Sequence, residues 1–386
     1  MQVEVIPNKN RSLVGQIHWN WLFDQFIPSF VKKNYSPKEK WKTKPFRSED
    51  AYFFFKGILD LSELFTDERP SALPSYFSHE KFRSAYLLYF FPLQAAKFLT
   101  LFNLHPAASA TALRHGRENK SIKILDLGSG PGTASISYLL WLLSLGKELP
   151  PIELHWFDTN RKILKDGEEI IKAMCEHFPK LRERVSVHFN VGEWWKARPD
   201  NYSLVIFGNV LNEQPVRFEE QSRAIRKLCT STGGAGTLLV EPATKIASRF
   251  INEIREALLN EPVFRNLQFP IWGPCLHSGG CPLRDGKDWC HFSMPSQIPG
   301  RWFKFFSKLL GSERSWLKFT YLWLASKDSA PKAVGEDIRR VVSDLIPTSS
   351  DKRFFTALLC EPDLVLRVKL PKHLRVFRGD LVEIKR

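Results

Sequence analysis

No stretch of this 386-residue chain reaches the ~18 uncharged apolar residues that a membrane-spanning helix needs. The nearest approach, Ala85 to Leu104, is interrupted by Pro92, Gln94, Lys97 and Asn103 and reads as a buried helix. Acidic residues are in short supply. Asp and Glu number 41 against 56 Lys and Arg, a net charge of +15 with a pI near 9.5. Such an excess favours a polyanionic partner and says nothing about fold. Because the cations are scattered over several elements, nucleic acid is expected and a membrane is not. The six Cys are too few for a disulfide scaffold in a chain of this size. No charged-then-apolar leader opens the sequence, and Glu4 with few nearby Arg runs against a mitochondrial presequence. Bacterial cytosol is therefore the default expectation, with an organelle matrix as the alternative. No internal repeat of fixed period is visible.

What is present is globular in composition: 43% hydrophobic and 25% charged residues. The length suggests two or three domains. Residues 1–115 read as helical and irregular. Within them Lys32 to Arg47 holds seven cations and one acid, interleaved with Tyr35, Trp41 and Phe46. Pro37 and Pro45 make that stretch loop-like, either a solvated linker or an RNA-touching segment.

From Ser121 the pattern becomes an α/β alternation. Ile122–Leu127, Ile152–Phe157, Val185–Phe189, Leu204–Phe207 and Thr237–Val240 are short β-rich runs. Thr133–Leu145, Arg161–His177 and Ala247–Asn260 are helix-length segments among them. Their spacing argues for a parallel sheet covered on both faces. Residues 116–262 form this expected domain. A Cys-rich segment with a basic, aromatic stretch follows over 263–316, and a β-rich end over 317–386. In that end Leu317–Ala325 reads as a strand, Phe354–Leu359 with Leu364–Lys369 as a hairpin, Leu381–Ile384 as a strand, and the middle of Ala330–Ser350 as helical.

Between the first strand and its helix lies Asp126-Leu-Gly128-Ser129-Gly130-Pro-Gly132. Glycines permit a tight turn and close backbone approach, and a helix N-terminus presents unpaired N–H groups. Nicotinamide-binding folds place Gly-x-Gly-x-x-Gly here. This chain instead has glycine at every second residue, with an acid two residues before the first. The motif resembles that of class I S-adenosylmethionine-dependent methyltransferases, in which the acid supports the methionine amino group. Asp158 ends the second strand, where an acid can accept from both ribose hydroxyls. Asn190-Val-Gly192-Glu193 follows the third, where that family lines the adenine. The resemblance implies S-adenosylmethionine bound by Asp126, Gly128, Ser129, Gly130, Gly132, Asp158, Asn190, Gly192 and Asn209.

The methyl acceptor is marked only by absences. Phe207-Gly-Asn209-Val-Leu-Asn212-Glu213-Gln-Pro215 lacks the Asn/Asp-Pro-Pro-aromatic block of enzymes that methylate exocyclic base nitrogens. No Cys stands where a 5-methylcytosine mechanism needs its nucleophile, Cys229 being placed in packed core. Asn209, Asn212 and Glu213 could bond a substrate amine or hydroxyl, or serve as cap and loop residues. No general base is assigned.

Cys275, Cys281 and Cys290 fall within 16 residues, and Cys360 lies 70 positions beyond the last of them. Structural zinc prefers ligand pairs two to four residues apart, whereas iron–sulfur clusters accept wider spacings. Zinc completed by His277 and His291, and unligated thiols, stand as alternatives. Gly273, Gly279, Gly280 and Gly286 make the loop costly to order without a ligand.

Gly-Pro-Cys275-Leu-His277, Cys281-Pro-Leu and Asp288-Trp-Cys290-His-Phe-Ser293, then Phe319-Thr-Tyr321, resemble the signature of one family. It comprises the mitochondrial and bacterial small-ribosomal-subunit methyltransferase-like proteins, and the resemblance covers roughly residues 85–386. It departs at Leu276, where the family has Pro, and at Met294, where it has Gln. The resemblance implies a four-iron four-sulfur cluster held by Cys275, Cys281, Cys290 and Cys360. It also implies action on the small ribosomal subunit or its rRNA during assembly, with no DNA partner. The chain would then be either an rRNA methyltransferase or a non-catalytic assembly factor on the same fold. Arg301 to Lys318 interleaves five cations with Trp302, Phe303, Phe305, Phe306 and Trp316, which either stack on bases or pack inward as an amphipathic helix. Arg367, Lys369, Lys372, Arg375 and Arg378 form a second basic stretch.

Overall fold

The computed structural model describes residues 2–6, 16–66, 75–211, 218–267, 270–295, 298–311, 316–326, 331, 335–348 and 353–385. Strands are numbered along the chain. The expected alternation forms β2 (Ile122–Leu127), β3 (Ile152–Asp158), β4 (Val185–Val191), β5 (Leu204–Gly208) and β6 (Thr237–Pro242). Each short Val/Ile/Leu run is flanked by helix, which is what a strand covered on both faces requires. All five are parallel, in the order β4-β3-β2-β5-β6. Beyond β6 the sheet takes on β9 (Trp316–Leu324), which runs antiparallel and separates β6 from β7 (Ile271–Gly273). The short β8 (Phe292–Pro295) also pairs with β9. Five parallel strands, one reversed strand and a last strand beyond it are the class I methyltransferase arrangement. Sequence order changes direction between β2 and β5, so a crevice opens beyond the C-terminal ends of β2, β3 and β5.

The expected buried helix runs Glu80–Leu104, with 89% of its apolar window inside the protein. It packs on Thr133–Ser144, itself buried along nearly its whole length. The stretch around Lys32 departs from the loop-like expectation. Ile27–Tyr35 and Glu39–Lys42 are helical, and Lys32 is buried, its Nζ bonded to Asp50 at 2.6 Å and to the Pro45 carbonyl at 2.9 Å. That cation supports the fold; Lys38, Lys40, Lys42 and Lys44 remain on the surface.

A second sheet gathers both ends of the described chain. Its order is β1 (Gln2–Ile6), β14 (Leu381–Lys385), β10 (Ile338–Val341), β12 (Phe354–Glu361), β11 (Ile346–Pro347), with β13 (Leu364–Pro371) also on β12. The N-terminal strand was read as part of a helical region, and the helix expected in the middle of 330–350 is strand β10. Ile338-Arg-Arg-Val341 is claimed by pairing with β12 and β14, a tertiary contact that outweighs local preference. Trp316–Leu324, grouped with the C-terminal strands in the sequence, joins the first sheet instead. The Arg301–Leu309 helix buries Trp302, Phe303 and Phe306, with Phe303 stacked on Tyr89 at 5.0 Å. These rings take the inward-packing alternative and cannot stack on bases.

Candidate functional site

The loop after β2 follows directly from its glycines. Gly128, Gly130 and Gly132 all have positive φ, at 65°, 55° and 78°. At Gly132 a Cβ would also meet the Trp156 ring at 2.2 Å, so any side chain there is excluded twice. The Ser129 N–H donates to the Phe157 carbonyl at 3.0 Å, tying the loop to β3. Asp126 is buried behind the loop. Its Oδ2 accepts from the Ser135 N–H at 2.9 Å and hydroxyl at 2.7 Å, bracing the first turn of Thr133–Ser144. Burial pushes this carboxyl up to about 6.

In front of the loop lies a cavity of about 510 Å³. Of the expected cofactor residues, Gly128, Gly130, Asp158, Gly192 and Asn209 line it; Asp126, Ser129, Gly132 and Asn190 do not. Asn190 is exposed on β4. Asp158 accepts from the Gly130 N–H through Oδ2 at 3.0 Å and from the Asn160 N–H through Oδ1 at 2.9 Å. Burial, reinforced by the charge of Glu193, raises its carboxyl to about 6 despite those bonds. Asn209 holds a left-handed backbone, φ 57°, unusual outside glycine. Its N–H donates to the Val240 carbonyl at 2.8 Å and its Nδ2 to Gln94 Oε1 at 3.4 Å. Its Oδ1 and the Glu193 Oε2 are both buried without a hydrogen-bond partner among the described residues. Unpaired buried polar atoms are costly, and these two belong to a cavity wall where a ligand could meet them. Asn212 and Glu213 lie outside the described residues.

Sequence reasoning missed Gln94, Lys97 and Trp194, which also line the cavity, and placed Lys318, a further lining residue, only in a basic stretch. Gln94 and Lys97 had a signal: two polar residues three apart share one face of an otherwise apolar helix. Lys318 had none, because only the β6–β9 register (Pro242 opposite Phe319) brings it to the crevice.

The second constellation sits between the two sheets. Cys275, Cys290 and Cys360 line one small cavity with His277 and Arg340. Cys281 adjoins them: burial first, then the charge of Cys275, raises its thiol to about 11. The Cys360 thiol goes to about 12, by burial and then by Cys275 and Cys281. Burial and the other three Cys raise Cys290 as well. Thiols that perturb one another in this way are neighbours, although they come from a loop and from β12. Among the described residues no three His, Cys, Asp or Glu stand close enough to hold one metal ion. A lone tetrahedral zinc would draw its thiolates to within about 4 Å of each other. His291, a ligand in the zinc alternative, has both ring nitrogens engaged, Nδ1 with the Trp289 carbonyl at 3.1 Å and Nε2 with Arg378 at 3.0 Å. Cys229 is 3% exposed and packed in the core, as expected.

Guanidinium groups hold the loop. Arg255 donates to the carbonyls of His277 and Gly279 at 2.9 and 2.8 Å, and Arg340 to those of Pro274 and Gly379 at 2.6 and 2.7 Å. Arg378 bonds Asp288 and the Val342 carbonyl.

The family profile described as mitochondrial small ribosomal subunit Rsm22 matches residues 103–371, well over half of the chain. The chain belongs to the Rsm22 family. The matched span contains the glycine loop and all four clustered Cys. The family's description favours the organelle alternative over the bacterial cytosol expected first. No curated protein matches the sequence. Among solved structures, a Listeria monocytogenes protein described as a class I S-adenosylmethionine-dependent methyltransferase aligns at 9% identity. That alignment covers 75% of this chain and 92% of the other, with a TM-score of 0.33. Mitomycin 7-O-methyltransferase MmcR aligns at 13% identity over 54% of this chain and 55% of its own, TM-score 0.29. Human N-acetylserotonin methyltransferase aligns at 16% identity over 52% of this chain and 51% of its own, TM-score 0.24. By its family this chain is a ribosome-related protein, and its own sheet order gives it a methyltransferase-like fold.

The loop geometry is testable. Gly132→Ala should lower unfolding stability by about 1–3 kcal/mol in urea titration, through overpacking against Trp156. Gly192→Ala, where a Cβ meets nothing within 4 Å, should stay within about 0.5 kcal/mol of wild type. Equal stability of the two variants would show that the turn does not need its glycine.

Proposed function

We infer that this Rsm22-family chain binds S-adenosylmethionine in the crevice beyond β2, β3 and β5 and acts on small-subunit rRNA during ribosome assembly. One observation carries the cofactor reading: Asp158, Glu193 and Asn209 bring a raised carboxyl, an unpaired carboxylate oxygen and an unpaired amide oxygen to one cavity faced by a glycine turn. All three accept hydrogen bonds, and a nucleoside with a ribose and an amino group supplies donors. The glycine turn admits the ligand close to backbone, Asp158 would take the ribose hydroxyls, and Glu193 stands by the base position. Asp126 acts indirectly, fixing the turn through Ser135. When bound, the cofactor's sulfonium offers a methyl group to in-line displacement, and the chain's contribution is orientation.

The cysteine constellation is read as the holder of a four-iron four-sulfur cluster, through Cys275, Cys281, Cys290 and Cys360. Three thiols lining one small cavity, with Cys281 adjoining them, support that reading. So do three guanidinium groups nearby, which would offset the negative charge of thiolate ligands. When bound, such a cluster would supply a one-electron centre, and its four Cys would tie the loop to the second sheet. A mitochondrial matrix location accords with the family's description.

A second reading keeps the fold without the chemistry: an assembly factor whose methyltransferase-like domain serves as an RNA-binding scaffold. It is favoured by the missing catalytic block: the sequence after β5 lacks the Asn/Asp-Pro-Pro-aromatic run of exocyclic-nitrogen methylases, and no Cys stands where a 5-methylcytosine nucleophile would.

Three outcomes are expected. S-adenosylmethionine affinity, measured by calorimetry, should rise roughly tenfold per pH unit up to about pH 6 and level off above it, since only ionised Asp158 accepts from both hydroxyls. The sign for the empty protein is opposite: a carboxyl raised in the native state favours folding at acid pH and loses that advantage as pH rises through about 6. Asp158→Asn should flatten the affinity profile, and an unchanged profile would remove Asp158 from the site. Secondly, anaerobically purified protein should contain iron and acid-labile sulfide, with broad absorbance at the violet end of the visible. Cys360→Ser should bleach it, whereas a colourless zinc-loaded wild type would retire the cluster. Thirdly, an Asp158→Asn strain should lose an rRNA methyl mark if the chain is an enzyme. Normal methylation with defective small subunits would instead select the scaffold.

A further inference from the structure

Lys318 lines two cavities. One is the crevice already described; the other, of about 310 Å³, opens between the two sheets. Its walls come from different parts of the chain. Trp316, Lys318 and Ser293 belong to β9 and β8 of the first sheet, while Leu345, Val376 and Phe377 come from segments flanking the second. Trp316 is 40% exposed, unlike the other rings of the Arg301–Lys318 stretch that pack inward. Its ring meets that of Phe377 edge-on, with centroids 5.2 Å apart and planes at 67°.

Each feature suits one kind of occupant. Two aromatic rings at an angle, one of them open, form a platform and a wall for a flat heterocycle, and stacking on such rings is how proteins hold splayed bases. The volume lies at the low end of ligand pockets and would accept one nucleotide. The Lys318 side chain is exposed, and its ammonium has no hydrogen bond or ion pair among the described residues. Arg375 and Lys372, beside Val376 in sequence, are exposed cations that could meet flanking phosphates. Asp344 also lines the cleft, and a carboxylate there accepts from a base amino group while repelling phosphate. The base would therefore enter and the backbone stay at the rim.

We propose that the cleft lined by Trp316 and Phe377 is a subsite for one unpaired nucleotide of RNA, placed by Lys318 next to the cofactor crevice. It deepens the rRNA reading given above, and its position takes the neighbouring crevice as the cofactor site. The sheet register sets that position: β9 runs antiparallel to β6, so its first residues lie beside Pro242, where β6 ends at the crevice. Trp316 and Lys318 are two residues apart on one strand and so project from the same face. A base stacked on the first sits beside the ammonium of the second, on the side from which an acceptor would approach the methyl donor.

The test uses the full chain, a fluorescein-labelled single-stranded oligoribonucleotide and the same sequence as a duplex. Trp316→Ala and Phe377→Ala should each weaken single-strand binding by about 5- to 100-fold, the range for loss of one stacked base. Duplex binding, which offers no free base, should be unaffected, and circular dichroism should confirm that both variants fold. Ultraviolet cross-linking should attach the oligonucleotide to a peptide containing Trp316 or Phe377. Single-strand binding by both variants within about twofold of wild type would overturn the subsite, as would equal losses on the duplex. So would a wild-type chain that binds an acidic peptide at this cleft and no RNA. S-adenosylmethionine calorimetry on the same samples separates the two claims. A wild type that ignores the cofactor yet shows the Trp316 dependence removes the cofactor reading and upholds the subsite.

Discussion

Three arginines, Arg255, Arg340 and Arg378, do for the cysteine loop what apolar packing does elsewhere in this protein. The loop over 273–291 is rich in glycine and offers little to bury, so its backbone carbonyls are its main points of attachment. Arg255, 1% exposed, takes two of them from the helix side, and Arg340 takes one from the second sheet. Buried guanidinium groups are costly unless every N–H finds an acceptor, and here carbonyls, Glu256 and Asp288 supply many of them. The fastening works in both directions. The second sheet has only a small core of its own, around Val341, Ala357, Leu359 and Val382. It gains its position from Arg340, Arg378 and the contact of Asp363 N–H with the Gly280 carbonyl. With that sheet go strand β1, which pairs only with β14 among the described residues, and the outer wall of the nucleotide cleft.

The parts legible in the sequence are those where one physical demand acts locally. Strands β2, β5 and β6 are short apolar runs because both faces are buried, whereas β3 and the edge strand β4 alternate; the glycine turn is explicit because three left-handed residues leave no other choice. The cysteines drew attention through their spacing and glycine neighbours. What the sequence concealed depends on partners far along the chain. Strand β1 is recognisable only when β14 is present beside it, and β10 only between β12 and β14. Lys32 looks like a surface cation until the Pro45 carbonyl and Asp50 are placed around it. The aromatics of Arg301–Leu309 and Trp316 are alike in sequence, yet helix periodicity buries the first group and a strand end leaves the last one open.

The crevice carries costs that its surroundings do not explain. Asn209 adopts a left-handed backbone without being glycine, and its amide oxygen and one Glu193 carboxylate oxygen are buried with no partner among the described residues. A structural role alone would have selected glycine at 209 and an apolar residue at 193. Asp126, by contrast, has Oδ2 taken by two bonds from Ser135, and its raised carboxyl reflects burial in the frame. Unpaired acceptors on the cavity side of the turn are what support the cofactor reading proposed above.

The two constellations share a single turn of chain. Strand β6 ends at Pro242, a wall of the crevice, and Thr244 caps the helix Lys245–Leu259 through its hydroxyl, which accepts from the Ala247 N–H at 3.2 Å. In between, the Ala243 carbonyl accepts from Trp289 Nε1 at 3.0 Å, one residue before Cys290. On the helix itself Ser248 donates to the Cys290 carbonyl at 2.6 Å, and Arg255 lies two turns further along. The path from crevice to thiols is therefore one strand end, one cap and one helix buried on one face. A group held by the thiols, as proposed above, would thereby brace the Pro242 wall of the crevice. The same path explains why a loop so poor in apolar residues lies where it does: its anchor points are carbonyls already ordered by the sheet.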